Sequence, residues 1–191
     1  MMQAIIKRIL DDIRVELSDE FDQNFERQAF FSEAWQRRKS PLRGDGHILV
    51  ATGRLRRSIQ SQTTADSIVF FSTEPYAAIH NEGGEITVTS KMKRYFWHKY
   101  YETTGSFGRK KDGSIRQDKR TLRLGTEAEF WKWMALKKVG TKIRIPRRRF
   151  LGMSPEVEQS VREIIEENLQ EYFDKEFRIT IAAVPQRTQN H

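Results

Sequence analysis

Apolar side chains recur every four positions from the start of the chain, at Ile5, Ile9, Ile13, Leu17, Phe21 and Phe25, with Ile6 and Leu10 alongside. An α-helix turns once in 3.6 residues, so this spacing draws one apolar stripe and predicts an amphipathic helix over about residues 2 to 27. A second stripe, Val157, Val161, Ile164, Ile165, Leu169, Tyr172 and Phe173, follows Ser154, Pro155 and Glu156. Serine can accept from a free amide of the first turn, proline tolerates that turn, and glutamate complements the positive end of the helix dipole. A second long helix therefore starts here.

The pattern between the two helices changes to a period of two. Residues 59 to 64 and 67 to 72 are rich in β-branched and aromatic side chains around Ala65 and Asp66, which predicts a hairpin. Residues 85 to 89 also alternate, and residues 142 to 145 are their expected partner after a long excursion. The predicted fold is α+β, with two long helices packed on one face of a mostly antiparallel sheet. A length of 191 residues suits a single domain over 1 to 191, with residues 90 to 140 as an inserted helical and basic arm.

Within the arm, Met92, Tyr95, Phe96, Lys99 and Tyr100 share one helical face. Thr126 and Glu129 form a capping-box pattern ahead of Phe130, Trp131, Met134, Ala135 and Val139, which predicts a second arm helix ending before Gly140. Residues 105 to 123 are basic, contain glycine and hold few apolar side chains, the composition of a flexible loop. Elsewhere, Phe30, Phe31, Trp35 and Leu42 lack periodicity, as in a loop that anchors large side chains in the core. Thr52 is expected to cap a short turn with Leu55 and Ile59 facing inward. Pro75 is expected to open a short helix that leaves through Gly83 and Gly84. Phe177, Ile179 and Ile181 alternate with polar residues and predict a terminal strand or arm, followed by a tail at 184 to 191 of disordered composition.

Charge sharpens this picture. The chain carries +8 overall, and residues 91 to 123 alone hold eleven Lys or Arg against three acids, a local +8, so the remainder sums to zero. Residues 154 to 176 hold eight acids against Arg162 and Lys175. A basic middle and an acidic helix can pair between copies of one chain or with partners of opposite sign. A nucleic acid is the other partner for such a middle, because Tyr95, Phe96, Trp97, Tyr100 and Tyr101 interleave its cations; the alternative reading is a nucleic-acid-binding module using residues 91 to 123.

Few residues of the chain suggest chemistry. The absence of cysteine excludes disulfides, a thiolate nucleophile and Cys-ligated metal. Apolar runs are shorter than the roughly 20 residues a membrane-spanning helix needs, and the start has no secretion-signal pattern, so a soluble, unsecreted protein is expected. No Walker loop, dinucleotide-binding glycine pattern, HExxH, EF-hand or G-x-S-x-G motif occurs. His80 lies near Glu82 and Glu85, but no second His or Cys is close enough in sequence to complete a ligand set. No cofactor, metal site or catalytic residue is expected, and the chain is not read as an enzyme.

Three short stretches are more telling in combination: LVATGRLRRSI at 49 to 59, YAAIHNEGG at 76 to 84 and IPRRRFLG at 145 to 152. Their order, with an amphipathic helix on either side, resembles the phage virion-morphogenesis or tail-completion family. The resemblance implies a structural role for Thr52, Gly53, Leu55, Tyr76, His80, Gly83, Gly84, Pro146 and Phe150. It also implies a non-enzymatic part of tail completion or head–tail joining, as tail terminator or connector. Such a part is made in the bacterial host cytoplasm and retained in the virion, usually as a ring of identical subunits bound to other tail or neck proteins. The excursion over 90 to 140 is longer than the family's usual connection. Candidate subunit-interface residues are Arg54, Arg56, Arg57, Arg147, Arg148 and Arg149, with Tyr95, Trp97, Trp131 and Trp133 of the arm. Any contact with DNA is expected to be weak and non-specific, and none with a membrane is expected.

Overall fold

A computed structural model describes residues 2 to 38, 42 and 47 to 182. In chain order the elements are α1 (Met2–Arg27), β1 (Ala29–Phe30), β2 (Glu33–Ala34), α2 (Arg54–Arg57), β3 (Ile59–Thr63) and β4 (Ile68–Ser72), then α3 (Ala77–Glu82), β5 (Gly84–Thr87), α4 (Ser90–Gly105), α5 (Lys119–Leu136), β6 (Lys142–Ile145) and α6 (Pro155–Ala182). The mixture of helices with small antiparallel ladders is an α+β fold. Among the described residues the strands form three two-stranded ladders, β1-β2, β3-β4 and β5-β6, where one sheet was expected. Contacts gather the chain into two compact units. One combines Met1–Ala34, Gly53–Pro75 and Phe150–His191, and the other combines Trp35–Thr52 and Tyr76–Arg149.

In the first unit the two predicted stripes meet. Ile13, Leu17 and Phe21 of α1 and Val157 of α6 are buried together with Phe30, and Ile164, Ile165, Ile68 and Phe70 pack against them. The helices run antiparallel: Asn168 donates to Asp12 at 3.0 Å, and Arg8 is ion-paired with Glu171. Phe21 meets Phe70 edge-on at 5.1 Å and lies against Phe30 and Phe31 at 6.5 Å. Those last two rings are placed by a tight reversal straight after α1, with positive φ at Gln28 and Phe31 and β1 paired to β2. Two-residue strands offer no alternation to read, which is why this stretch looked like plain loop. Asn24, fully buried, holds the reversal: its Oδ1 accepts from the Phe31 amide at 2.9 Å and its Nδ2 donates to the Phe150 carbonyl at 3.4 Å.

The β3-β4 hairpin has the expected bounds to within a residue, pairing Ile59 with Ser72 and Thr63 with Ile68. Helix α6, by contrast, continues through residues 177 to 181, where a terminal strand or arm was expected. Leu169, Phe173, Phe177 and Ile181 are spaced by four, so the helical stripe continues there and outweighs a short alternation. The expected tail at 184 to 191 lies outside the described residues.

In the second unit β5 and β6 pair as predicted, Gly84 with Ile145 and Thr87 with Lys142. Two further bonds, Val88 N–H to Thr141 O at 2.8 Å and Gly140 N–H to Val88 O at 2.9 Å, carry the ladder to the foot of a helical hairpin. Helix α4 is capped by Thr89, whose hydroxyl accepts from the Met92 amide, and α5 by Asp118, which accepts from the Thr121 amide. The latter helix thus begins ahead of the expected capping box. Thr126 instead turns its hydroxyl back to the Leu122 carbonyl inside the helix. The link between them, expected as a flexible loop, is a tight turn with an Arg109–Ile115 bridge, and Asp112 accepts from both the amide and the hydroxyl of Ser114. Among the described residues no helix is long and apolar enough to cross a membrane.

Candidate functional site

The Thr-Gly element folds as a single turn between α1 and the β3-β4 hairpin. Gly53, at φ +68°, is the residue that precedes α2, so the cap predicted at Thr52 is shifted by one and has no side chain. Leu55 is buried, and the Ser58 hydroxyl donates to its carbonyl at 2.7 Å. The three arginines of this element diverge. Arg56 reaches α1, donating from Nε to Asp22 at 2.5 Å and pairing with Glu26. The Asp22 carboxyl is accordingly drawn below its usual range by the Arg56 hydrogen bond. Arg54 pairs with Glu74 at 2.9 Å but is two-thirds exposed, and Arg57 is also exposed. Arg56, the least exposed of the three, thus joins the turn to α1, whereas Arg54, paired with Glu74, and Arg57 are exposed.

The Gly-Gly and Ile-Pro elements are built against each other. Ala77 is buried at the start of α3, Tyr76 lies edge-on to His80 at 6.0 Å, and the His80 carbonyl accepts from the Arg148 amide at 2.8 Å. Gly83 has φ +74°, and a Cβ there would stand 2.8 Å from the Arg147 backbone nitrogen. Only glycine allows both the left-handed backbone and that approach. Gly84, at φ +153°, opens β5. Pro146 follows β6 and, lacking an N–H, ends the ladder. Beyond it, Arg147 is exposed and Arg149 half-buried, its carbonyl accepting from the Trp35 indole at 2.6 Å. Arg148 is buried, donates to the Gln36 carbonyl at 3.1 Å, and is held below the usual guanidinium range by burial and by Arg38. Phe150 belongs to the first unit, where it is buried against Phe25 at 5.3 Å.

His80 is thus part of a brace. Its Nδ1 is buried and has no hydrogen-bond partner among the described residues, and burial, then Arg148, hold its pKa below the usual 6.5. Among the described residues no group of three or more His, Asp or Glu could hold a metal ion. A histidine whose folded pKa is depressed binds its proton less readily than in the unfolded chain. Stability is therefore complete above pH 6.5 and falls as pH drops through and below that value. His80→Gln should flatten this segment of a stability-against-pH curve measured by urea unfolding, and an unchanged slope below pH 6.5 would show that His80 is not its source.

The arm separates its aromatic residues into two sets. Phe96, Met134 and Ala135 are buried between α4 and α5, with Trp131 stacked on Phe96 at 6.1 Å and Trp97, Phe130 and Ile143 packed around them. Trp131 is therefore committed to the hairpin itself. Tyr95 is half exposed, Trp133 is 59% exposed with Lys137 Nζ 3.6 Å from its ring, and Trp97 stacks on the exposed Tyr101 at 5.9 Å. Val139, expected on the apolar face, is also exposed, as are Leu122 and Leu136. Periodicity identified the helices but not this outer set, because a hairpin of two helices has aromatic residues enough for both faces.

At the tip, Arg109, Lys110, Lys111, Arg116, Lys119, Arg120 and Arg123 are all exposed, and among the described residues none has an acidic partner within 4.0 Å. The tip's acids are used in its construction, Asp112 in the turn and Asp118 as the α5 cap. No curated protein and no solved structure shows significant similarity to this chain. A family model does match, over residues 3–170, and it takes in the first long stripe, the second as far as Leu169, all three motif elements and the arm between them. Matched over most of its length, the chain belongs to the phage virion morphogenesis family and is a phage structural or assembly protein.

Proposed function

We propose that this chain acts without catalysis in tail completion or head–tail joining, as a ring of identical subunits that also contacts other tail or neck proteins. The observation that carries the reading is the arm: α4 and α5 bury one aromatic set between themselves and leave Tyr95, Tyr101, Trp133, Leu136 and Val139 on the outside. Exposed apolar side chains with charge around them are what an assembly contact uses. The family membership supplies the setting. Electron microscopy of particles from a phage lacking this gene provides the test. Unjoined heads and tails would identify a connector, tails of irregular length a terminator, and normal infectious particles would refute both.

A further inference from the structure

We infer that the tip of the α4-α5 arm of one subunit docks on the outer face of α6 of a second copy of this chain, and this rests on the ring reading above. The tip and the helical turns next to it carry exposed apolar side chains, Tyr101 at 64%, Leu122 at 57% and Ile115 at 41% exposure, together with seven exposed cations that have no acidic partner within 4.0 Å among the described residues. The outer face of α6 offers the complement. Leu169 and Phe173, one helical turn apart, are exposed; Glu166 lies one turn before Leu169, and Glu163, Glu167 and Asp174 are exposed on the same helix, with Arg162 the exposed cation among them. None of these four acids has an ion-pair partner among the described residues, although Arg8 and Lys175 do pair with Glu171 nearby. Each surface thus combines exposed apolar side chains with charge, net positive on the tip and net negative on α6, the complementarity a specific protein contact uses.

A contact that joins one surface of a subunit to a different surface of the next is heterologous, so it repeats and closes into a ring when the rotation permits. Tip and helix face belong to one sequence, so every copy brings both halves. DNA would use the tip cations as well, but it would leave the acidic, apolar face of α6 without a role.

Charge reversal tests the assignment on the intact chain in solution, independently of any particle phenotype. One variant carries Lys110→Glu, Lys111→Glu and Arg120→Glu; the other carries Glu163→Lys, Glu166→Lys and Glu167→Lys. All six side chains are exposed, so thermal unfolding should match the parent in both. In analytical ultracentrifugation each variant alone should associate at least about tenfold more weakly than the parent, as rim charges set partner choice. Mixed in equal amounts they should assemble again, because each reversed tip then meets a reversed helix and each native tip a native one, giving an alternating array. A parent that stays monomeric at its highest soluble concentration, variants that associate like the parent, or a mixture that fails to recover would overturn the proposal. Loss of salt-sensitive binding to a DNA duplex in the tip variant, with self-association unchanged, would overturn it in favour of a nucleic-acid contact.

Discussion

Truncating Phe25 to alanine is expected to lower the unfolding free energy by about 3–5 kcal/mol, the range for removing a large buried aromatic side chain. Phe25 closes the α1 stripe, is fully buried, and meets Phe150, itself 1% exposed, at 5.3 Å. Collapse of the cavity is opposed because Asn24 next to it already bonds the Phe31 amide and the Phe150 carbonyl, which fixes the surrounding backbone. The urea midpoint should fall sharply with little change in slope. Phe173→Ala, at a site 61% exposed, should shift it by less than about 0.5 kcal/mol in the isolated chain. Equal midpoints for the two variants would show that the Ile-Pro element does not complete the core as described.

The second large effect belongs to Gly83→Ala, expected to cost on the order of 3 kcal/mol through a left-handed backbone and a clash that cannot relax cheaply. The added Cβ would sit 2.8 Å from the Arg147 nitrogen and 3.1 Å from its Cα, so backbone, and not a mobile side-chain end, must yield. Because the Arg148 amide bonds the His80 carbonyl beside it, the strain should also loosen the Gly-Gly and Ile-Pro elements from each other. Hydrogen exchange of the Arg148 amide should then rise well above that of the Val88 amide. Gly105→Ala is the control: it ends α4 with nothing within 4 Å of the new methyl, and should be neutral or slightly stabilising.

Much of the fold was legible because long periodic stripes leave little choice. The run from Ile5 to Phe25 and the run from Val157 to Phe173 became α1 and α6, and the pairing of residues 85 to 89 with 142 to 145 emerged as β5 with β6 across more than fifty intervening residues. Short or locally ambiguous stretches were less readable. The β1-β2 reversal depends on positive φ at Gln28 and Phe31, neither a residue type that advertises it. Residues 177 to 181 satisfy a period of two and a period of four at once, and continuity with the preceding turns settles the matter. The start of α5 was missed because Thr126 and Glu129 imitate a cap that Asp118 already supplies. At the candidate site, the sequence could list arginines but could not sort them. That Arg56 turns to Asp22 while Arg148 lies buried against the Gln36 carbonyl depends on contacts more than thirty positions apart.

Strands β5 and β6 and the two Val88 bonds anchor the hairpin at its foot, and α4 and α5 pack on each other above it. Adding or deleting two matched turns, seven residues in α4 and seven in α5, would move the tip by about 10 Å at a rise of 1.5 Å per residue and leave the foot unchanged. The arm is in this sense an adjustable spacer: indels alone can change its span, without any substitution in the ladder at its foot.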